Sequence, residues 1–282
     1  MAQFTNQAQL TYNNTVTVSN LAVGEIQDVL SISKTAVDSV YTGDDTITYA
    51  VNIINSGISD LTSLTLIDDI GAYQLASGTT VTPLTYVPDT LRYFRNNILQ
   101  TPPTVNITTD GLVITGFTVP ANGSTLFLYE TATNEFTPLE ANSSITNTAK
   151  LTGNFTTVIA SETINVSAEP LLSIVKSISP IPVMENGTVT YTFVIQNNGN
   201  APVTSGAVIT DMFDPILSNI TATFNDKQWI AGTDFMYDTS TGLFTSAANR
   251  VTVDAATYTQ DQNTGVVTVE PGTSTLVITG TI

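Results

Sequence analysis

An internal repeat constrains this chain more than any other feature of its sequence. The segment LSISK, which ends at Lys34, returns as LSIVK, which ends at Lys176, so the offset is 142 residues (176 minus 34). The turn NSG at 55–57 returns at the same offset as NNG at 197–199. A repeat of this length is a whole domain rather than a solenoid unit. We therefore predict two tandem domains of one fold, over residues 27–168 and 169–282.

Alternation of apolar and polar residues predicts β-strands throughout. TITYAVNI at 46–53 and TVTYTFVI at 188–195 have a period of two and are rich in β-branched and aromatic residues. Clusters of Asn, Gly and Pro separate such runs, and no segment has the pattern of an amphipathic helix. The predicted fold class is all-β: two tandem Ig-like β-sandwich domains preceded by an N-terminal donor-strand segment.

That N-terminal segment, residues 1–26, copies the strands that close the first repeat. QFTNQAQLTY at 3–12 matches SITNTAKLTG at 144–153, while the second repeat reaches Ile282 where the first has Ala132. We therefore expect the second repeat to lack closing strands and residues 1–26 to supply them. The residues expected to face the recipient core alternate along the strand: Phe4, Asn6, Ala8, Leu10 and Tyr12.

Two placements of this donor segment are compatible with the repeat. The closing strands of repeat one lead directly into repeat two, and the donor segment leads just as directly into repeat one. If both junctions have the same geometry, the sandwich that the donor segment completes lies before repeat one and belongs to another copy of the chain. Such a head-to-tail contact does not close on itself and so makes a fibre. The alternative is a monomeric surface adhesin in which the segment packs on its own chain.

Three residue types recur at matching positions and suggest covalent chemistry. A lysine inside an apolar strand is unusual, because an unpaired buried ammonium is costly. Lysine, an acid and asparagine on neighbouring strands are the parts for a spontaneous isopeptide bond, which needs a neutral amine and an acid that polarises the amide. The predicted sets are Lys34, Asp69 and Asn147 within one chain, and Lys176 and Asp211 with Asn6 of the next chain. The alternative is a simple Lys–Asp ion pair.

Composition argues against several functions. The chain has 24 acidic and seven basic residues, a net charge of −17, and neither Cys nor His. Such a charge disfavours nucleic acids and anionic membranes as partners. We expect no enzyme activity and no cofactor. The acidic residues Asp68, Asp69, Asp211 and Asp214 are candidates for Ca²⁺ ligation, although no D-x-D-x-D-G loop is present.

Three further expectations concern the surface and the ends. The first residues contain neither a basic nor an apolar signal region, so we expect no secretion signal. Trp229, Tyr237 and Tyr258 form either a glycan-binding face or part of the core. The second repeat is longer in its middle, and we predict an extra hairpin at 235–244.

The repeated pattern resembles a bacterial family called domain of unknown function eleven. The residues that carry the resemblance are LSISKTAV, GDDTITYAVNIINSG, LTLIDDI and SITNTAKL, with a second copy in LSIVKSI, ENGTVTYTFVIQNNG and AVITDMFDP. The start, FTNQAQLTYNN, is similar to a clostridial group that includes spore-appendage subunits. The resemblance implies a fibre subunit on a spore or cell surface, made in the mother cell and exposed on lysis. The expected partners are other copies of the chain, with minor anchoring or tip subunits as further candidates.

Overall fold

A computed structural model describes residues 2–26, 29–153 and 155–282. These residues form β-strands and turns only, so the predicted all-β fold with tandem sandwiches is confirmed. None of them belongs to a helix long and apolar enough to cross a membrane.

The strands of the N-terminal hairpin, residues 2–26, pair only with one another among the described residues. Its strands are β1 (Ala2–Asn6), β2 (Gln9–Tyr12), β3 (Thr15–Val18) and β4 (Ala22–Ile26). β1 pairs with β4 and β2 with β3, both antiparallel. The turn residues Asn13 and Asn14 have φ angles of 49° and 63°, which suits a two-residue hairpin turn with positive φ at both positions. The segment predicted as a donor strand is therefore a preformed hairpin.

The first sandwich is a pair of six-stranded sheets. Its strands are β5 (Leu30–Ala36), β6 (Val40–Tyr41), β7 (Thr46–Asn55), β8 (Thr65–Asp68), β9 (Tyr73–Gln74), β10 (Thr80–Val81), β11 (Leu84–Tyr86), β12 (Arg92–Arg95), β13 (Ile98–Gln100), β14 (Thr104–Thr108), β15 (Gly111–Thr115), β16 (Gly123–Thr133), β17 (Ser144–Gly153) and β18 (Phe155–Val166). One sheet has the order β13-β12-β16-β7-β5, with β11 also on β16, and the other β14-β15-β8-β17-β18-β6. β9 and β10 form a separate small hairpin.

Alternating residues of the two sheets build the core between them. On β7, Tyr49, Val51 and Ile53 are fully buried, while the residues between them are partly exposed. Phe127 on β16 and Leu66 on β8 lie in the same buried cluster. The period of two thus places one face of each strand inside, as the sequence predicted.

The second sandwich repeats this plan with fewer strands. Its strands are β19 (Leu172–Ser179), β20 (Thr188–Asn197), β21 (Thr210–Met212), β22 (Ser218–Phe224), β23 (Lys227–Trp229), β24 (Phe235–Asp238), β25 (Leu243–Ser246), β26 (Thr257–Gln260), β27 (Val267–Glu270) and β28 (Gly272–Thr281). One sheet has the order β19-β20-β28-β22-β23 and the other β21-β25-β24. β26 and β27 form a separate hairpin.

Matching the two orders corrects one prediction. β24 and β25 occupy the places of β14 and β15, because β25 pairs with β21 as β15 pairs with β8. The hairpin predicted at 235–244 therefore exists, but it is common to both repeats. The extra hairpin of the second repeat is β26–β27. The matching segments on either side show that the second repeat is longer, but they do not show where between them the extra residues lie. The sequence therefore predicted the insertion at the wrong hairpin.

Candidate functional site: two lysine–aspartate pairs

The centre of the first sandwich contains a lysine. Lys34 lies on β5 and points to the core on the same face of the strand as Leu30, Ile32 and Ala36. Its side chain has no exposed surface. A cation in this position requires a partner, because desolvation without one is very costly.

That partner is Asp68, one residue before the predicted Asp69. Lys34 Nζ donates to Asp68 Oδ2, and both side chains are buried. β8 alternates, so Leu66 and Asp68 share its inner face. Asp69 instead accepts hydrogen bonds from the N–H groups of Thr148 (2.8 Å) and Gly71 (3.0 Å). The acid that contacts Lys34 is thus the residue before the predicted Asp69, and neighbouring residues of a strand point to opposite faces. The assisting role of Asp69 stays a prediction.

Tyrosines surround this ion pair. Tyr129 on β16 donates its hydroxyl proton to Asp68 Oδ2 at 2.5 Å, and its Oη lies 3.0 Å from Lys34 Nζ. Lys34 Nζ also lies 4.7 Å from the ring centroid of Tyr49. Sequence reasoning missed Tyr129, although alternation along β16 from Phe127 places it inside.

Asn147 lies in the same core, and its amide, like the hydroxyl of Tyr49, has no hydrogen-bond partner. It is fully buried on β17, and neither its Nδ2 nor its Oδ1 makes a hydrogen bond. Burial raises the pKa of the Tyr49 and Tyr129 hydroxyls, and the nearby Asn147 amide opposes that rise. Buried polar groups are nearly always satisfied, and each orphan costs about 1–3 kcal/mol. The Asn147 amide therefore lacks the partners that a buried structural asparagine normally has.

Burial controls the protonation of the site. Desolvation lowers the pKa of Lys34, against the opposing attraction of Asp68, Asp69 and Glu162. Desolvation and the Asp68 carboxylate raise the pKa of Tyr129, so its hydroxyl stays protonated. Burial also raises the pKa of Asp69. The lowered lysine pKa favours the neutral amine that nucleophilic attack requires.

The second sandwich has a matching but open pair. Lys176 Nζ donates to Asp211 Oδ2 at 2.5 Å, and it lies 4.6 Å from the ring centroid of Tyr191. The Lys176 side chain is 39% exposed, however, against 0% for Lys34. The second site keeps the lysine, the aspartate and the Tyr191 ring, but Ile278 stands where the first sandwich has Tyr129, and one side of the site faces solvent.

The open side corresponds to β17 and β18. In the first sandwich β8 pairs with β15 on one edge and β17 on the other. In the described chain β21 pairs with β25 alone, so its other edge is unpaired. Every residue of β19 is exposed, including Leu172 and Ile174. Exposed backbone edges and apolar strands favour the addition of another strand.

The predicted donor residues lie exposed on the N-terminal hairpin. Phe4, Leu10 and Tyr12 are 56%, 68% and 74% exposed. Asn6 is exposed and pairs in β1 with Ala22. Ala8 is likewise exposed, and within the described residues no hydrogen bond joins this hairpin to either sandwich. The chain itself therefore does not bring Asn6 to Lys176.

The remaining candidates take structural positions. Asp68 and Asp211 face lysines, Asp214 is exposed, and the described residues hold no group of three acids that could bind a metal ion. Trp229 is buried and stacks on Phe224, with ring centroids 5.1 Å apart. Tyr237 and Tyr258 bond to the backbone carbonyls of residues 217 and 198. None of the three forms an open aromatic platform.

Comparisons with known proteins give only distant likenesses. No family model and no curated protein matches the chain. Among solved structures, the major pilin subunit of Bacillus cereus is 11% identical, with a TM-score of 0.37, covering 96% of this chain and 73% of that one. The pilus backbone protein of Streptococcus pneumoniae is 11% identical, with a TM-score of 0.34 and 86% and 55% covered. A collagen-binding domain of a Staphylococcus aureus adhesin is 11% identical, with a TM-score of 0.29 and 50% and 99% covered. Likeness at this level carries nothing about what this chain binds.

Proposed function

We propose that this chain is the structural subunit of a surface fibre that assembles by hairpin donation between copies. The observation that carries the proposal is the open edge of β21 beside Lys176, at the place that β17 and β18 occupy in the first sandwich. The N-terminal hairpin repeats the sequence of those two strands and is exposed. Insertion into the second sandwich of another copy pairs the edge and covers β19.

The pairing in the first sandwich gives the register of the insertion. Ala149 lies opposite Asp68 and Leu151 opposite Leu66. The donor equivalents of these β17 residues are Ala8 and Leu10, and the acceptor equivalents on β21 and before it are Asp211 and Ile209. Ala8 then lies opposite Asp211 and Leu10 opposite Ile209. This register brings Asn6 toward Lys176, as Asn147 lies in the core with Lys34.

Both sites then support the same condensation. The neutral amine of Lys34 attacks Cγ of Asn147, the Cγ–Nδ2 bond breaks and one ammonia leaves, while Asp68 transfers the proton from amine to leaving group. One C–N bond forms and one breaks, so no oxidant or cofactor is needed. Lys176, with Asp211, performs the same step on Asn6 of the next copy. The first bond crosslinks a sandwich and the second crosslinks the fibre.

A fibre of this kind acts outside the cell, on a spore or cell surface. The sequence is rich in Thr, Asn and Ser and carries a net charge of −17, a charge that favours solubility in water. Spore-surface placement comes from the sequence resemblance alone. Labelled antibody against the purified chain, imaged on spores and on vegetative cells, tests that part separately.

The central experiment is electron microscopy and light scattering of the purified full chain. We expect fibres that survive boiling in SDS, and none after deletion of residues 2–20. A Lys176→Ala chain should still form fibres, because strand pairing remains, but SDS should dissociate them. A full chain that stays monomeric at high concentration would instead support the monomeric adhesin with its hairpin packed in cis.

A further inference from the structure

The joint between the two sandwiches of one chain is made by two insertions that occur in only one repeat each. Between β25 and β28 the chain runs through residues 247–271, which include the β26–β27 hairpin, whereas residues 116–122 suffice between β15 and β16. Between β8 and β12 it runs through residues 69–91, which include β9 and β10, whereas residues 213–217 suffice between β21 and β22.

These two insertions touch one another across the joint. Gln260 on β26 donates a side-chain hydrogen bond to the hydroxyl of Tyr73 on β9. Beside this contact, the Val267 N–H on β27 donates to the carbonyl of Glu135, in the segment that follows β16, at 2.8 Å. Gly265, between β26 and β27, packs so closely on Val81 of β10 that an added Cβ would lie 2.5 Å from Val81 Cγ1. A side chain, a backbone group and a tight packing contact together define one relative orientation.

A second set of contacts lies beside the insertions. Asn200 Nδ2 donates to the Leu139 carbonyl at 3.1 Å, and Asn200 Oδ1 accepts from the Glu169 N–H at 3.2 Å. The hydroxyl of Tyr258 on β26 donates to the Asn198 carbonyl at 2.5 Å. The linker between sandwiches is therefore bonded to the second sandwich, which in turn is bonded to the first.

We infer that the β26–β27 hairpin and the β9–β10 hairpin fix the two sandwiches of one chain as a rigid unit, and that the joint between copies bends. The second half rests on the proposed fibre. At that joint, the completed second sandwich of one copy takes the place of a first sandwich. That second sandwich has the short connection 213–217 in place of the β9–β10 hairpin. The first sandwich of the next copy has the short connection 116–122 in place of the β26–β27 hairpin, so both hairpins are missing from this joint. Joints without a specific interface move by default.

Pulsed electron spin resonance distances test both halves with one pair of sites. The chain has no cysteine, so Asn106→Cys and Met236→Cys, both at exposed positions on β14 and β24, place labels specifically. A doubly labelled full chain diluted in unlabelled chain reports the joint within a copy. A mixture of two singly labelled chains reports the joint between copies. We expect the distribution between copies to be about twofold broader.

Gly265→Ala supplies the matched perturbation. Its φ is +81° and Val81 leaves no room for a methyl group, whereas Gly232, with φ +80°, has no atom within 4 Å of its Cβ position. Both changes strain the backbone equally, but only Gly265→Ala should broaden the distribution within a copy. Equal widths within and between copies of the wild-type chain, or no response to Gly265→Ala, would overturn the inference. If the mixture of singly labelled chains gave no measurable distance, the fibre would be contradicted, and the bending joint with it. The width of the distance distribution within a copy would still test the rigid unit.

Discussion

At the residue scale, the two adjacent acids Asp68 and Asp69 should differ in their effect on the bond. Asp68 contacts Lys34, while Asp69 bonds backbone N–H groups of the neighbouring strand and turn. In a Lys176→Ala background, where Lys34–Asn147 is the single expected bond, Asp68→Asn should abolish the loss of one ammonia in the intact mass. Asp69→Asn should retain that loss, because an amide oxygen still accepts both hydrogen bonds. The opposite result would restore Asp69 as the assisting acid.

The same site should control how stability depends on pH. If Asn147→Ala prevents the bond, Lys34 keeps a free amine whose pKa burial lowers. Its folded pKa then lies below the unfolded value of about 10.4. Between the two values the unfolded chain binds more protons, so the free energy of unfolding rises with pH and becomes constant above the unfolded pKa.

Urea unfolding from pH 7 to 9.5 measures this rise. It should occur in the Asn147→Ala chain and be absent when the amine is consumed in an amide. The upper limit of this pH range avoids the ionisation of Tyr49 and Tyr129, because burial raises the pKa of both hydroxyls. Identical slopes with and without Asn147 would mean that Lys34 never reacts.

Sequence reasoning reached part of this site for a physical reason. A lysine at the same place in two apolar strands is costly enough to need an explanation, so Lys34 and Lys176 were recognisable. The choice between Asp68 and Asp69 depended on which face of β8 is buried, and the repeat offset cannot show that. Tyr129 lies opposite Tyr49 in the first sandwich, and the equivalent position opposite Tyr191 in the second is Ile278. Because the tyrosine is not repeated, the comparison of the two repeats could not identify it.

At the element scale, the proposed insertion has one register that crosslinking can measure. Leu10→Cys with Ile209→Cys should form a disulfide between copies, since their equivalents Leu151 and Leu66 are directly opposite and cross-strand neighbours suit disulfide geometry. An Asn6→Ala background excludes the proposed isopeptide bond, so that the disulfide would be the single covalent link between copies. Non-reducing gel electrophoresis should then show a ladder that collapses on reduction.

A slipped pair provides the control for that experiment. Leu10→Cys with Thr210→Cys moves the acceptor thiol one residue along, to the opposite face of the strand. This pair should give few crosslinks. Equal crosslinking by both pairs would contradict a fixed register, and a higher yield from the Thr210 pair would assign a different one.

The element scale also shows what the pattern could not give. The alternation in Thr46–Asn55 and Thr188–Asn197 identified the central strands, because burial on one face imposes a period of two. Strand pairing and insertions depend on which segments meet in space. The alternation therefore did not identify the β26–β27 hairpin, which the structure places against Tyr73 and Val81 of the first sandwich.

At the scale of the whole molecule, the two sandwiches should differ in stability until a donor hairpin arrives. The first has its Lys–Asp pair fully enclosed, while the second leaves β19 exposed and the β21 edge unpaired within the described chain. A chain without residues 2–26 should therefore unfold in two calorimetric transitions, the second sandwich at the lower temperature. Two domains with separate cores need not unfold as one.

A synthetic peptide of residues 2–26 should then raise only the lower transition. A ligand that binds the folded state alone stabilises it by about 2.7 kcal/mol at 100 times its dissociation constant. Reaction of Asn6 with Lys176 would make that gain persist after the free peptide is dialysed away, whereas an Asn6→Ala peptide should stabilise reversibly. If the peptide raised the upper transition instead, the hairpin would belong to the first sandwich, and assembly through the second would be excluded.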